Sequence, residues 1–279
     1  LDRAGKEMAG RGTEFEKLRR RQMRLLFIRH GDPDYVNDTL TEKGHREAAV
    51  LADRAEALNM GTCYASPLGR ARATAEYSLK RLGKTAKTLG WLEEFPAQID
   101  LNQAAHLRSV YPNANEVGGK YEPRIVWDVI PSYWTERREY SDSVLWRESE
   151  ISRNSNVVQV YDDITGKFDA FLEEHGYRRE GMHYRVQRES TETVTFFCHF
   201  GVTCALLAHL WNLSPFTLWH SLALAPTSVT EVVTEEREQG TAYFRGLKLG
   251  DVSHLSMSGE PVSFAARFCE VYSDRSQRH

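Results

Sequence analysis

From Met23 onward, short apolar runs alternate with amphipathic helical stretches, and this alternation constrains the fold more than any other feature of the chain. Arg24 to Ile28 (RLLFI) is a continuous apolar run of the kind that forms a strand buried on both faces. Thr41 is placed to cap a helix continuing to about Asn59, with Ala48, Leu51, Ala52, Ala55 and Leu58 on one face. Thr62 to Ala65 reads as a second strand, Pro67 stands in the first-turn region of a helix running to about Leu82, and Ala86 to Leu92 reads as a third strand. Strand and helix alternating at this spacing predict right-handed crossovers, hence a three-layer α/β/α sandwich around a mostly parallel central sheet.

The regularity lapses between Phe95 and Asn156, where Pro, Gly and Asn mix with many aromatics and scattered arginines; this stretch, 95–156, reads as an insertion or cap after the third strand. A helix from Val157 to about His175 follows, with Val157, Val160, Tyr161, Ile164, Phe168, Phe171 and Leu172 at helical spacing. Strands near 193–198, 228–234 and 242–247 and a helix over about 202–211 complete the pattern. Residues 1–22 are Gly-rich and charged, without the apolar core of a secretory signal, and read as a tail or added extension ahead of a single α/β domain over 23–279. The basic run Lys17, Arg19, Arg20, Arg21 and Arg24 is expected to be a solvated part of that tail.

Composition enters as a set of exclusions. With 41% apolar and 27% charged residues among 279, the chain is neither fibrous nor disordered, and a formal charge of −3 provides no global basic field for nucleic acid or an anionic membrane. Four cysteines, Cys63, Cys198, Cys204 and Cys269, lack zinc-site spacing and are too few for a disulfide scaffold, so a reducing, cytoplasmic location is expected. The apolar stretch from Thr193 to Leu213 contains His199, His209 and a Gly, and its β-branched first half and Ala/Leu-rich second half suit a buried strand running into a buried helix better than a membrane span.

Three expected strand ends carry polar residues: Arg29-His30-Gly31 after the first, Ser66-Pro-Leu-Gly-Arg70 after the second, and His199-Phe-Gly after the strand ending at Cys198. In open α/β sheets, ligands bind outside the carboxyl ends of the strands, and core packing alone does not account for Arg, His, Arg and His delivered to one edge. The blocks LLFIRHGDPDY, TLTEKG (39–44), SPLGRARATA, LEE (92–94) and FFCHFG occur in the order found in the histidine phosphatase superfamily, in the branch that also contains phosphoglycerate mutases, and the chain resembles that family over Met23–Glu94 and about Thr193–Leu249.

The resemblance implies that His30 is a nucleophile forming phosphohistidine, with Arg29, Arg70 and His199 around the phosphoryl oxygens, and that Glu94, in the L-x-E pattern, is the general acid, Glu93 being the fallback. In-line phosphoryl transfer needs fixed positive donors at the equatorial oxygens, which guanidinium forks supply without a metal or cofactor. The nucleophilic nitrogen must be unprotonated, so the other ring nitrogen is expected to donate to a backbone carbonyl around Gly31. Relatives often place an Asn six residues after the nucleophile; that position here is Val36, with Asn37 beside it as a candidate phosphate ligand. The loop from Asp32 to Leu40 is shorter than that of mutase members, which favours a phosphatase acting on a small phosphorylated substrate over a mutase. A non-catalytic phosphate-binding protein is the alternative outside enzymology, and its mark, loss of His30, Arg70, His199 or the acid, is absent. The C-x5-R of cysteine phosphatases is missing, since six positions after Cys198 stands Cys204, and HExxH is missing too. His254 is expected to make a structural hydrogen bond, Arg72 to face away from the site, Arg137 and Arg138 to be a solvated pair, and at least two of Trp127, Trp134 and Trp146 to pack the cap.

Overall fold

Strand β1 (Arg24–Arg29) is buried at every position. That burial follows from its two faces: Leu25 and Phe27 enter one hydrophobic core, and Leu26 and Ile28 enter another on the opposite side of the sheet. The computed structural model describes residues 22–112, 114–264 and 271–274; the expected tail lies outside them except for Gln22, whose amide donates to the Thr234 carbonyl at 2.8 Å.

The remaining main elements in chain order are α1 (Glu42–Ala52), β2 (Thr62–Ala65), α2 (Gly69–Leu82), β3 (Ala86–Thr88), α3 (Val157–Glu174), β4 (Tyr177–Glu180), β5 (His183–Val186), β6 (Thr193–Cys198), α4 (Phe200–Trp211), α5 (Pro215–Ser221), β7 (Val229–Glu238), β8 (Thr241–Asp251) and α6 (Ser253–Ser258). The central sheet has eight strands in the order β4-β5-β8-β7-β1-β6-β2-β3. Strands β1, β6, β2 and β3 pair parallel, and the pairings from β1 through β7 to β4 are antiparallel, so β5 and β7 run against the other six. The smaller core gathers Leu51 of α1 and Ala75 of α2 beneath Cys63, Ala65 and Phe197. The larger core packs α3, α4 and residues of the 95–156 segment against Tyr64, Val194 and Phe196, with Phe168 and Phe171 of α3 edge-on to Phe196.

Several boundaries depart from the sequence reading for local reasons. Asp53 closes α1, and a separate short turn, Ala55–Leu58, ends at Asn59 in the left-handed region (φ 49°), so the expected helix over 41–59 is broken in two. Helix α2 begins at Gly69, leaving Pro67 outside it. The third strand covers only Ala86–Thr88 and turns into a one-turn 3-10 helix at Gly90–Leu92. The hairpin β4–β5 carries no strand signal in the sequence, because Tyr177–Glu180 and His183–Val186 are too polar to show an apolar run. Among the described residues no helix is long and apolar enough to cross a membrane, and Thr193–Leu213 divides into β6 and α4. Cys63, Cys198 and Cys204 are free and buried; Cys269 lies outside the described residues.

Candidate active site

Parallel register brings three strand ends together. Arg29 of β1 pairs with Cys198 of β6, and Phe197 pairs with Ala65 of β2. The backbone continues this register past the strands: His30 N donates to the Cys198 carbonyl (3.0 Å) and Ser66 N to the Phe197 carbonyl (2.9 Å). His30 and His199 thus become neighbours, with ring centroids 5.1 Å apart, and both are buried.

Each side chain is then fixed by a specific partner. His30 Nδ1 donates to the Gly31 carbonyl at 2.7 Å, which leaves Nε2 as the lone-pair nitrogen. His199 Nε2 is 2.8 Å from Ser66 Oγ, while its Nδ1 is buried without a hydrogen-bond partner. Arg29 donates from Nη1 to the Leu224 carbonyl (2.5 Å), hydrogen-bonds Tyr35, and lies 5.9 Å from the Phe200 ring centroid. Arg70 donates from Nη1 to Asp38 Oδ1 (2.7 Å) and its guanidinium sits 5.3 Å from the Tyr35 ring centroid. Asp38 uses its other oxygen to accept from Gly69 N at 2.6 Å, so one carboxylate caps α2 and aims the arginine carried on its first turn. The approach is close enough that a Cβ at Gly69 would lie 2.0 Å from the Asp38 carbonyl oxygen, which makes glycine obligatory there. Thr74 Oγ1 accepts from Gly31 N (2.9 Å) and donates to the Arg70 carbonyl (2.8 Å), tying α2 to the loop that carries His30.

Glu94 follows the 3-10 turn after β3, and its Oε1 accepts from Phe95 N (2.8 Å) and from Val202 N (3.1 Å) in the first turn of α4. The residue is half-buried, and the desolvation of its carboxyl pushes the pKa up against those two N–H groups and the positive charges of Arg29 and Arg70. The same enclosure acts oppositely on the imidazoles: burial, followed by the charge of Arg29, holds His30 well below the usual histidine range, and burial with the neighbouring His30 and arginines does the same to His199. Both rings are therefore neutral at ordinary pH while the carboxyl resists ionisation. Glu93 is exposed.

Asn37 is the one expected ligand that the fold leaves outside. It is exposed at the tip of the β-turn over 35–38, and Asp34 captures it: Asp34 accepts from the Asn37 side chain (2.7 Å) and from the backbone N–H of Val36 and Asn37. An Asp starting a turn bonds the N–H groups ahead of it, and that local preference takes the amide away from the pocket. Arg72 is exposed, and Arg138 likewise, whereas Arg137 stacks on Tyr133 (4.0 Å) and donates to its carbonyl. His254 Nε2 is 3.0 Å from Thr227 Oγ1, and Thr227 N donates to the His30 carbonyl, so this histidine braces the loop behind the site.

Sequence spacing alone gives Tyr35, Asp38 and Glu47 no role, although the structure sets Tyr35 and Asp38 beside Arg29 and Arg70 and Glu47 beneath Asp32. Glu47 is fully buried, accepts from Asp32 N (2.9 Å) and Ser263 N (3.3 Å), and is pushed up to about 7 by burial. An acidic residue at an inward position of an amphipathic helix was the available signal, since Glu47 immediately precedes the apolar Ala48. Trp146 packs the cap core, while Trp127 reaches toward the site, touching Phe200 and Trp219. A Cβ at Gly201 would come within 2.4 Å of the Trp127 ring and 2.7 Å of Glu94 Oε1. Gly201→Ala is therefore expected to lose about 1–3 kcal/mol in a denaturant melt through overpacking and, by displacing Glu94, to slow turnover about tenfold or more; unchanged values in both assays would contradict this packing.

Residues 25–109 match the profile of the Histidine phosphatase superfamily (branch 1), a span running from β1 into the insertion. No curated protein matches the chain. Among solved structures, a mycobacterial hydrolase aligns with a TM-score of 0.52 at 19% identity, covering 82% of this chain and 99% of that one. A phosphoserine phosphatase mutant from Entamoeba histolytica, solved with phosphoserine, aligns with a TM-score of 0.52 at 16% identity, covering 84% of this chain and 99% of that one. Residues 25–109 carry the sequence pattern of the histidine phosphatase superfamily (branch 1), and the chain shares the fold of these two solved structures.

Proposed function

We propose that this protein is a metal-independent phosphatase that hydrolyses small phosphomonoesters through a phosphohistidine at His30. The observation that carries the proposal is the pairing of His30 and His199, with ring centroids 5.1 Å apart, at adjacent ends of parallel strands, with His30 Nδ1 committed to the Gly31 carbonyl. In this reading His30 Nε2 attacks phosphorus in line, and the bond from phosphorus to the ester oxygen breaks. Arg29, Arg70 and His199 bind the phosphoryl oxygens, and the buried, unpartnered Nδ1 of His199 and Nε of Arg70 gain acceptors there. Glu94 gives its proton to the departing alkoxide. Its carboxylate then takes a proton from water, whose oxygen attacks the phosphohistidine, releasing inorganic phosphate and restoring neutral His30 and protonated Glu94. Asn37 has no part in this scheme, since Asp34 holds its amide.

Phosphate release from a panel of monoesters, phosphoserine and 3-phosphoglycerate included, in the presence of EDTA is the direct test, with isomerisation of 3-phosphoglycerate followed in parallel. Release undiminished by EDTA is the expected result. Isomerisation without release would replace hydrolysis by mutase chemistry, and inactivity in both assays would leave a phosphate-binding protein.

A further inference from the structure

The insertion contributes one aromatic ring to the neighbourhood of the acid. Trp127 is 5% exposed and packed among Phe95, Phe200 and Trp219, with ring centroids 6.0, 6.5 and 5.0 Å away. Its six-membered edge and Glu94 Oε1 border the same small space above Gly201, where a Cβ would meet both. Trp219 closes the underside by donating from Nε1 to the Gly201 carbonyl at 3.0 Å. Trp127 Nε1 is buried without a hydrogen-bond partner, so the indole does not donate to Glu94 and can act on it only by excluding water.

That exclusion matters because nearly everything else facing Glu94 favours the anion. Arg29 and Arg70 are positive, and Phe95 N and Val202 N donate to the carboxylate, the latter from the positive end of α4. The other titratable groups facing it are Tyr35, Cys198 and Cys204. Removing water from around a carboxyl disfavours its charged form by up to several pK units, enough to outweigh these partners.

We propose that Trp127 is a positioning residue for the acid step: its ring, supplied by the insertion, keeps water from the Glu94 carboxyl so that the proton stays on until a leaving group takes it. This inference rests on the reading of Glu94 as the general acid. It gives part of the 95–156 segment a role in the chemistry, in addition to covering the core.

An infrared pH titration of the protonated-carboxyl C=O stretch tests it on the intact protein. The band of Glu94 is assigned by its loss in Glu94→Gln, and Glu47→Gln removes the band of the buried Glu47, whose pKa burial pushes up to about 7. Trp127→Ala is expected to lower the Glu94 midpoint by about one pH unit or more. Trp127→Phe, which keeps an aromatic wall and guards against loss of folding in the alanine variant, is expected to give a smaller shift in the same direction. The alkaline limb of kcat/KM, which reports the free enzyme up to phosphohistidine formation, should move with the midpoint for alkyl phosphates and be unaffected for aryl phosphates, a split that a merely structural role would not produce. An unmoved midpoint in folded variants overturns the proposal. Because the midpoint is read without turnover, a wild-type protein inactive toward every ester would overturn the phosphatase reading separately, leaving the midpoint to decide the role of Trp127.

Discussion

His30→Ala is expected to lower phosphate release by on the order of 10⁴-fold or more with every ester, because the covalent route disappears and no neighbouring group replaces the nucleophile. The loss should be chemical and not a failure to fold: the substitution deletes one side-chain hydrogen bond, Nδ1 to the Gly31 carbonyl, at a cost of about 1 kcal/mol. The β1–β6 register that positions the loop is a backbone property and survives. The wild-type pH profile carries the same argument. Burial and Arg29 hold the His30 imidazole well below its usual range, and the neutral ring is the nucleophile. Lowering the pH from 7 toward 6 should therefore not protonate it, and kcat/KM should show no acid limb there beyond that of the substrate's own phosphate, which titrates at about 6. A His30→Ala protein that is folded, by circular dichroism, yet turns over normally would remove His30 from the mechanism.

The second large effect concerns the leaving group. Glu94→Gln keeps the size and most of the polar contacts of the side chain but has no proton to give, so hydrolysis of alkyl phosphates is expected to slow by about 10²- to 10⁴-fold. In kcat/KM, which ends at phosphohistidine formation and so excludes the later step in which Glu94 is the base, aryl phosphates, whose leaving groups need little protonation, should be affected much less. Sign follows from burial: a carboxyl pushed above its usual value is protonated, hence active as an acid, to higher pH than an exposed one, and activity falls as pH rises through that raised value. Glu94→Gln should abolish this alkaline limb. The exposed Glu93 serves as the control, and an equal loss in Glu93→Gln, measured on the same pair of ester classes, would transfer the role to it.

What could be read in the sequence was whatever depends on periodicity and strand ends. The buried run RLLFI, the Thr41 cap, whose hydroxyl accepts from Gly44 N, and the division of Thr193–Leu213 into strand and helix all rest on local pattern. His30, Arg70 and His199 were legible because each follows a strand end, and parallel register then forces the three ends side by side. Contacts between residues distant in sequence were not legible. Asp38 lies 32 positions before Arg70, and nothing in the spacing shows that one carboxylate both aims that arginine and caps α2. The apposition of Trp127 and Gly201 joins an irregular segment to a helix start, and irregular segments have no period from which to infer a face. The position of Asn37 was not legible for the opposite reason: a local turn bond holds its amide on Asp34.

The central claim is a covalent bond between phosphorus and His30. Mixing the enzyme with a ³²P-labelled monoester and quenching in base within the first turnover tests it most directly. The account predicts an acid-labile, base-stable phosphoprotein whose label maps to the peptide containing His30 and is absent from His30→Ala. Label on another residue, or none during rapid turnover, would contradict it.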